Sequence, residues 1–447
     1  MKVKRLLALV VVVCMLIGLT VACAQDTPVA DPPAADTADD AAPADDATPA
    51  DDPPAASEDQ VTLRFTTWDT ARQLAVYQEV IDIFMEEHPD IFIQVESVPD
   101  GYNERLFTAA AAGNAPDVFL FWEWPLLVDG NVIIPLDEFI GTLIDPDLYF
   151  AEIFETTKVD GVLWGIPNIP TTRAMYYNRT MFEEAGVPTP TDDWTWDDFV
   201  EKAIALTTDD TFGFVTEGRN TYTLQQFVWT NGGAFIDMET AEFDGIMNSA
   251  ATAEALQWYA DLVVVHGVSP TPSASATMGG ATEMFLTGQV AMFESGMWPL
   301  NTLRQMDEFE IGTAIMPSHN GNRVGILHSS GYAISVDSDF PEQAVTFASW
   351  IGGFYGQLEF VRLGYGLPVM PSIAEYLDIA SDPLKRAFLE MIQFCTVPPS
   401  FVATSQWGLI DDSLATAMEL TQMGEISAQD ALNEAVENAI MDLAIGH

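Results

Sequence analysis

The sequence predicts an α/β fold, and three observations carry that expectation. From Val61 onward, strand-like runs rich in β-branched and aromatic residues alternate with helix-periodic runs. Apolar residues make up 48% of the chain, enough to fill a sizeable core. The length of 447 residues exceeds what one compact core organises and suits two or three domains.

The elements justify this in order. "VTLRFTTW" is a strand pattern, and "ARQLAVYQEVIDIFMEEHP" then sets Leu74, Tyr77, Ile81 and Phe84 at helical spacing until Pro89 closes the helix. "IFIQVESVP" reads as a second strand, "GYNERLFTAAAAGNAP" as a helix ending at Gly113, and "DVFLF" as a third strand. Strand, helix, strand, helix, strand is a βαβαβ unit with a parallel sheet. Its strand ends lead into Trp68–Asp69 and Trp122–Glu123–Trp124, the edge where open α/β sheets bind ligands. Asp117 follows Pro116 at the opposite end and is expected to cap or turn the backbone.

Further on, "GVLWGIPNIPTTRAMYYNRTMFEEAG" passes from a strand through proline-flanked polar residues into another strand and helix. In "VPTPTDDWTWDDFVEKAIAL", Thr195 is placed to cap a helix with an acidic first turn. A largely helical stretch follows, strands return near Val324, and helices run from Pro383 to the end.

The amino terminus reads as an export signal, with Lys2, Lys4 and Arg5 before an apolar run. "LTVAC" resembles a lipoprotein box that would lipidate Cys23, although Thr20 stands where an aliphatic residue is usual; "ACA" equally fits ordinary cleavage after Ala24. Residues 1–24 are therefore the signal. Residues 25–60, rich in Ala, Asp and Pro with no aromatic and no basic residue, are expected to be a disordered acidic tether. It would stand the folded body off a membrane, or merely solubilise it.

With 67 acidic residues against 16 basic ones and a net charge of -51, the chain would be repelled by nucleic acid and by anionic membrane surfaces. Besides Cys14 and Cys23 there is only Cys395, which has no disulfide partner in the body and sits in an apolar helical run. There is no CxxC, no HExxH and no phosphate loop, and the five histidines are scattered, so neither a metal site nor a cofactor is expected.

The blocks "LRFTTW", "YQEVIDIFMEEHPDIFIQVESVP", "YNERLFTAAAAGNAPDVFLF", "VIIPLDEFI", "GVLWGIPNIPTTRAMYYNRTMFEEAGVPTPTDDWTWDDFVEKA", "FLTGQVAMFESGMWPL" and "GYAISVDSDFPEQAVTFASWI" occur in an order that resembles one family. That family is the extracellular solute-binding proteins of ABC transporters, of the sugar-binding, maltose-binding-protein-like group. The resemblance implies an α/β, two-lobed periplasmic-binding-protein-like fold of type II, with a ligand cleft between lobes joined by a hinge. Residues 61–172 with 320–380 would form lobe 1, and 173–319 with 381–447 lobe 2. The chain would cross near Thr171–Ala174 and return near Met316–Val324. It also implies hinge closure on a carbohydrate and delivery to ABC permease subunits by a monomer at the outer face of the cell membrane, or secreted or periplasmic if unlipidated.

A sugar presents flat C–H faces and a rim of hydroxyls, so its pocket needs aromatic rings beside carboxylates, amides or Arg. The candidates are Trp68 and Asp69; Trp122, Glu123 and Trp124; Trp229 and Asn231 in "WTNGG"; Glu294 and Trp298 in "ESGMW"; Tyr332, Tyr365 and Trp407. Arg173, near the crossing, would bond the ligand or pin the hinge. Trp122 and Trp124 share one loop, so one would stack on ligand and the other on a neighbouring helix. Trp164, Trp194, Trp196, Trp258 and Trp350 sit at periodic positions and are expected to pack.

Two other readings stand beside this one. A glycosidase would need two carboxylates across the bond, but no compact catalytic motif such as G-x-S-x-G is present. The same fold could also hold another small solute, such as a polyol or glycerol phosphate ester, yet a phosphate calls for basic residues, which are scarce here.

Overall fold

The computed structural model of the protein describes residues 60–445. The expected signal, Cys23 and all but the last residue of the acidic tether lie outside the described residues.

The strands run in chain order β1 (Val61–Thr67), β2 (Ile91–Ser97), β3 (Val118–Phe121), β4 (Lys158–Val159), β5 (Val162–Leu163), β6 (Ile166–Thr172), β7 (Ala174–Asn178), β8 (Phe212–Phe214), β9 (Val290–Ser295), β10 (Ile311–Ala314) and β11 (Leu327–Ile334). The larger sheet has the order β2-β1-β3-β11-β6, the smaller one β10-β7-β9-β8, and β4 pairs only with β5. The βαβαβ expectation for the first three strands holds: β1 pairs in parallel with both β2 and β3, through the helices Ala71–Glu87 and Tyr102–Ala111. What the opening pattern does not foretell is β11, which lies antiparallel to both β3 and β6. That reversal brings the amino end of β11 to the edge where β3 and β6 end. In register terms, Leu327 and His328 pair with Thr172 and Thr171, and Gly331 pairs with Phe121.

Only Arg173 separates β6 from β7, so the chain leaves the larger sheet and enters the smaller one across a single residue. It comes back between Ala314 of β10 and Leu327 of β11. In the smaller sheet β9 runs antiparallel to β7, with Ala174 opposite Ser295 and Met175 opposite Glu294. The carboxyl end of β9 therefore lies beside the crossing.

Packing follows the periodicity. Phe65 of β1 meets Tyr77 at 5.3 Å and Phe347 at 5.6 Å between ring centres, joining the sheet to two covering helices. In the smaller sheet Tyr176 stacks on Phe293 at 4.9 Å. Thr195 closes a capping box with Asp198 at the start of the helix Trp196–Leu206, which satisfies the backbone N–H groups of both residues. Trp194 and Trp196 are buried as expected, with Trp196 stacked on Trp258 at 4.0 Å. Cys395 is a buried core residue. Asp117 accepts from the backbone N–H of Arg64 at 2.8 Å and from Ser338 Oγ at 2.6 Å, a backbone-fixing role at the far end of β3. No described helix is long and apolar enough to cross a membrane.

Candidate functional site

The edge shared by β1, β3, β6 and β11 faces the end of β9 and the carboxyl-terminal helices, and three cavities open along it. The first, of about 340 Å³, is lined by Asp69, Gln73, Thr171, Trp298, Asn301, Tyr365 and Lys385 among others. The second, of about 420 Å³, is lined by Trp122, Glu123, Arg173, Tyr222, Trp298, Trp407 and Asp411. The third, of about 360 Å³, takes in Trp122, Asp129, Glu239, His328, Phe401 and Ser405. Each draws its walls from loops and strand ends that are distant in sequence.

Arg173 organises the middle of this cleft. Its Nη1 donates to Glu294 Oε2 at 2.8 Å, and Gln226 Nε2 donates to Glu294 Oε1 at 2.8 Å. The guanidinium lies between two rings, 5.1 Å from the centre of Tyr222 and 5.2 Å from that of Trp298, both within cation–π range. Its Nε is buried and has no partner. Burial pushes the Glu294 carboxyl up, against the pull of Arg173 and Gln226. The Tyr222 hydroxyl in turn bonds His328 Nδ1, so a side chain from the helix Thr221–Thr230 reaches the larger sheet. Burial and the Arg173 charge lower the His328 imidazole to about 4, and it stays neutral at pH 7.

Trp298 is the exposed ring of the cleft, with 59% of its surface open. Its position depends on Gly296, where an added Cβ would come within 2.0 Å of the indole. Asp69 is buried at the end of β1, where Oδ2 accepts from Thr67 Oγ1 at 2.6 Å and from the Tyr365 hydroxyl at 2.5 Å. Burial raises the Asp69 carboxyl in spite of these bonds. Glu123 is raised by burial and then by the charge of Asp411, itself raised by burial while Thr221 donates to it. The cleft thus offers carboxylates, a guanidinium and several rings in one concave, partly desolvated surface. Such a surface suits a ligand with both apolar faces and hydroxyls.

The sequence profile described as bacterial extracellular solute-binding protein matches residues 67–353. The chain belongs to that family. The binding protein is 24% identical over 401 residues to a putative binding protein of Brucella abortus, covering 86% of this chain and 94% of the relative. It is 25% identical over 289 residues to the multiple sugar-binding protein of Streptococcus mutans, covering 60% of this chain and 66% of the relative. Its fold is similar to an ABC substrate-binding protein of Listeria monocytogenes solved with cycloalternan, at a TM-score of 0.76 and 24% identity, covering 86% of this chain and all of the other. The architecture is the two-lobed α/β fold of periplasmic binding proteins, and the family is one of solute binders rather than enzymes.

Within this binding protein, Asp69, Trp122, Glu123, Arg173, Trp298, Tyr365 and Trp407 line the cavities. Glu294 stands behind Arg173 and is 3% exposed. Trp68 stands behind Trp122, edge-on at 4.9 Å, and also meets Tyr102 at 5.2 Å.

Four candidates are corrected by their placement. Trp124 begins the short helix Trp124–Asp129 and turns inward, fully buried against Gly165 and Gly331. Gly165 is obligatory there, since a Cβ would sit 2.2 Å from the indole. Trp122 is thus the member of the pair that faces the cleft. Tyr332 points to the buried face of β11, where its hydroxyl donates to Asn168 Oδ1 at 2.8 Å. Trp229 lies inside a helix rather than in a loop and packs on Val324 and Ile326. Asn231 closes that helix and donates from Nδ2 to the Ala251 carbonyl at 2.8 Å, bracing the next helix.

Sequence reasoning missed Tyr222, His328, Lys385, Phe401 and Asp411. Asp411 carries a legible signal, one helical turn after Trp407 and so on the same face. Asn220, which caps the helix bearing Tyr222, marks a helix start beside the cleft. His328 has no such signal, because only the antiparallel placement of β11 brings it there.

Proposed function

We propose that this protein captures a carbohydrate by closing its two lobes around the cleft and hands it, unchanged, to an ABC import permease. The observation that carries the reading is Trp298: an exposed indole backed by Arg173 and flanked by the carboxylates Asp69, Glu123 and Asp411. An apolar sugar face covers such a ring, and hydroxyls bond the carboxylates. The positive charge of Arg173 is already met by Glu294, which favours a neutral ligand over a phosphate ester. The sugar-binding relative supports the same class.

A thermal-shift screen against mono- and oligosaccharides tests this, because a ligand of the folded state alone raises the melting point. A shift with a sugar, and no release of reducing ends on incubation, is the expected result. Turnover would make the protein an enzyme. Anchoring through a lipidated Cys23 belongs to the same proposal. Mass spectrometry of the mature amino-terminal peptide tests it, and an unmodified terminus after Ala24 would replace it with a soluble exported protein. Light scattering that gives the mass of one chain would fit the monomer expected for this role.

A further inference from the structure

We propose that the ligand is a linear oligosaccharide of at least three units, held in single file with one unit in each cavity. The inference rests on the carbohydrate reading above and adds the ligand's length and shape to it.

The cavities form a row. The first and second share one wall residue, Trp298; the second and third share Trp122, His328 and Phe401; the first and third share none. Trp298 and Trp122 are therefore partitions, each presenting surface to two chambers. A single ring would cover one side of one partition and leave the rest of the row wet, with half-exposed indole on show. A chain passing both partitions covers the apolar surface on each side.

Each chamber also repeats the equipment that one sugar unit needs. The first sets Tyr365 beside Asp69. The second sets Trp298 beside Glu123 and Asp411. The third sets Trp122 beside Asp129 and Glu239. A monosaccharide site requires this pairing of ring and acceptor once, whereas here it recurs along one line. The chambers are similar in size, at about 340, 420 and 360 Å³, as a polymer of like units requires.

The test is calorimetry on the full mature protein with four linear series, gluco-, galacto-, arabino- and xylo-configured, each from one to four units. In whichever series binds, the trisaccharide is expected to bind at least about tenfold more tightly than the monosaccharide. Trp122→Ala should weaken the trisaccharide by the largest factor and the monosaccharide by the smallest, because it strips ring surface from both the second and third chambers. Glu239→Gln, a surface change in the third chamber, should act in the same direction without disturbing folding. A monosaccharide bound as tightly as its own oligomers overturns the length inference and leaves the carbohydrate reading standing. Equal weakening of every length by both variants also overturns it. Silence in all four series removes the carbohydrate reading and this inference with it.

Discussion

Arg173 Nη1 donates to Glu294 Oε2 at 2.8 Å, with side chains only 7% and 1% exposed, at the one residue where the chain passes from the larger sheet to the smaller. The pair braces the crossing, and its Arg173 also lines the cleft. Glu294 sits on β9 beside β7, so the guanidinium is held by the smaller sheet although its backbone borders the larger. Breaking the pair from one side leaves a buried charge without its counterpart.

Glu294→Ala or Arg173→Ala is therefore expected to cost about 3–5 kcal/mol of stability, read by chemical denaturation. Replacing both together with Met should recover most of that loss, since the desolvation of both charges disappears. A double variant that loses the sum of the two single losses would show that the pair is not coupled.

Trp298→Ala should behave differently. The ring is largely exposed, and its contact with Arg173 is worth about 0.5–1 kcal/mol at such a site. Stability should drop by no more than about that amount. Affinity for the proposed carbohydrate ligand should fall by about 1–3 kcal/mol, the scale of a ring lost from the centre of an interface. Calorimetry showing unchanged affinity would take Trp298 out of the site.

The neighbouring tryptophans separate packing from binding. Trp124→Ala opens a cavity in the core and should cost about 3–5 kcal/mol. Gly165→Ala, which drives a methyl into the same ring, should cost about 1–3 kcal/mol by overpacking. Neither Trp124 nor Gly165 lines a cavity, so protein that still folds should keep its ligand affinity. A selective loss of affinity in Gly165→Ala, with its melting point intact, would count against this assignment.

His328, on the larger sheet, bonds Tyr222 of the helix Thr221–Thr230 and sets a pH dependence. Its folded value, about 4, lies below the ordinary 6.5, so between those values the unfolded chain binds more protons than the folded one. Stability from this group is full above about pH 6.5 and is lost as pH falls toward 4. His328→Gln should flatten the fall in melting point over that window. An unchanged slope would mean that the imidazole does not carry the effect.

Much of this protein was legible in its amino-acid sequence. The βαβαβ start, the Thr195 cap and the core placement of Trp194, Trp196 and Cys395 follow from periodicity and caps, whereas the crossing near Thr171–Ala174 is implied by the family resemblance. Periodicity and caps are local signals, and local backbone preference and one-sided burial decide them. Asp69, Trp122, Glu123 and Trp298 could also be picked out, because a polar or aromatic residue directly after an apolar strand must stand at a sheet edge.

Tertiary structure decided the rest. Trp122 and Trp124 are two residues apart in one loop, and only the glycines at 165 and 331 explain why Trp124 turns inward. Tyr332 and His328 lie four residues apart on the same strand, yet one is core and the other lines the cleft, because the pairing of β11 with β6 shifts register between Ser329 and Gly331 and breaks the alternation of faces. Trp229 and Asn231 stand in a Gly-rich stretch that reads as a loop, but the helix Thr221–Thr230 holds Trp229 within it and is capped by Asn231. The sequence alone placed Asp69, Trp122 and Glu123 at the ends of strands. Which of those ends meet depends on strand order and direction, set by contacts between segments far apart in the chain.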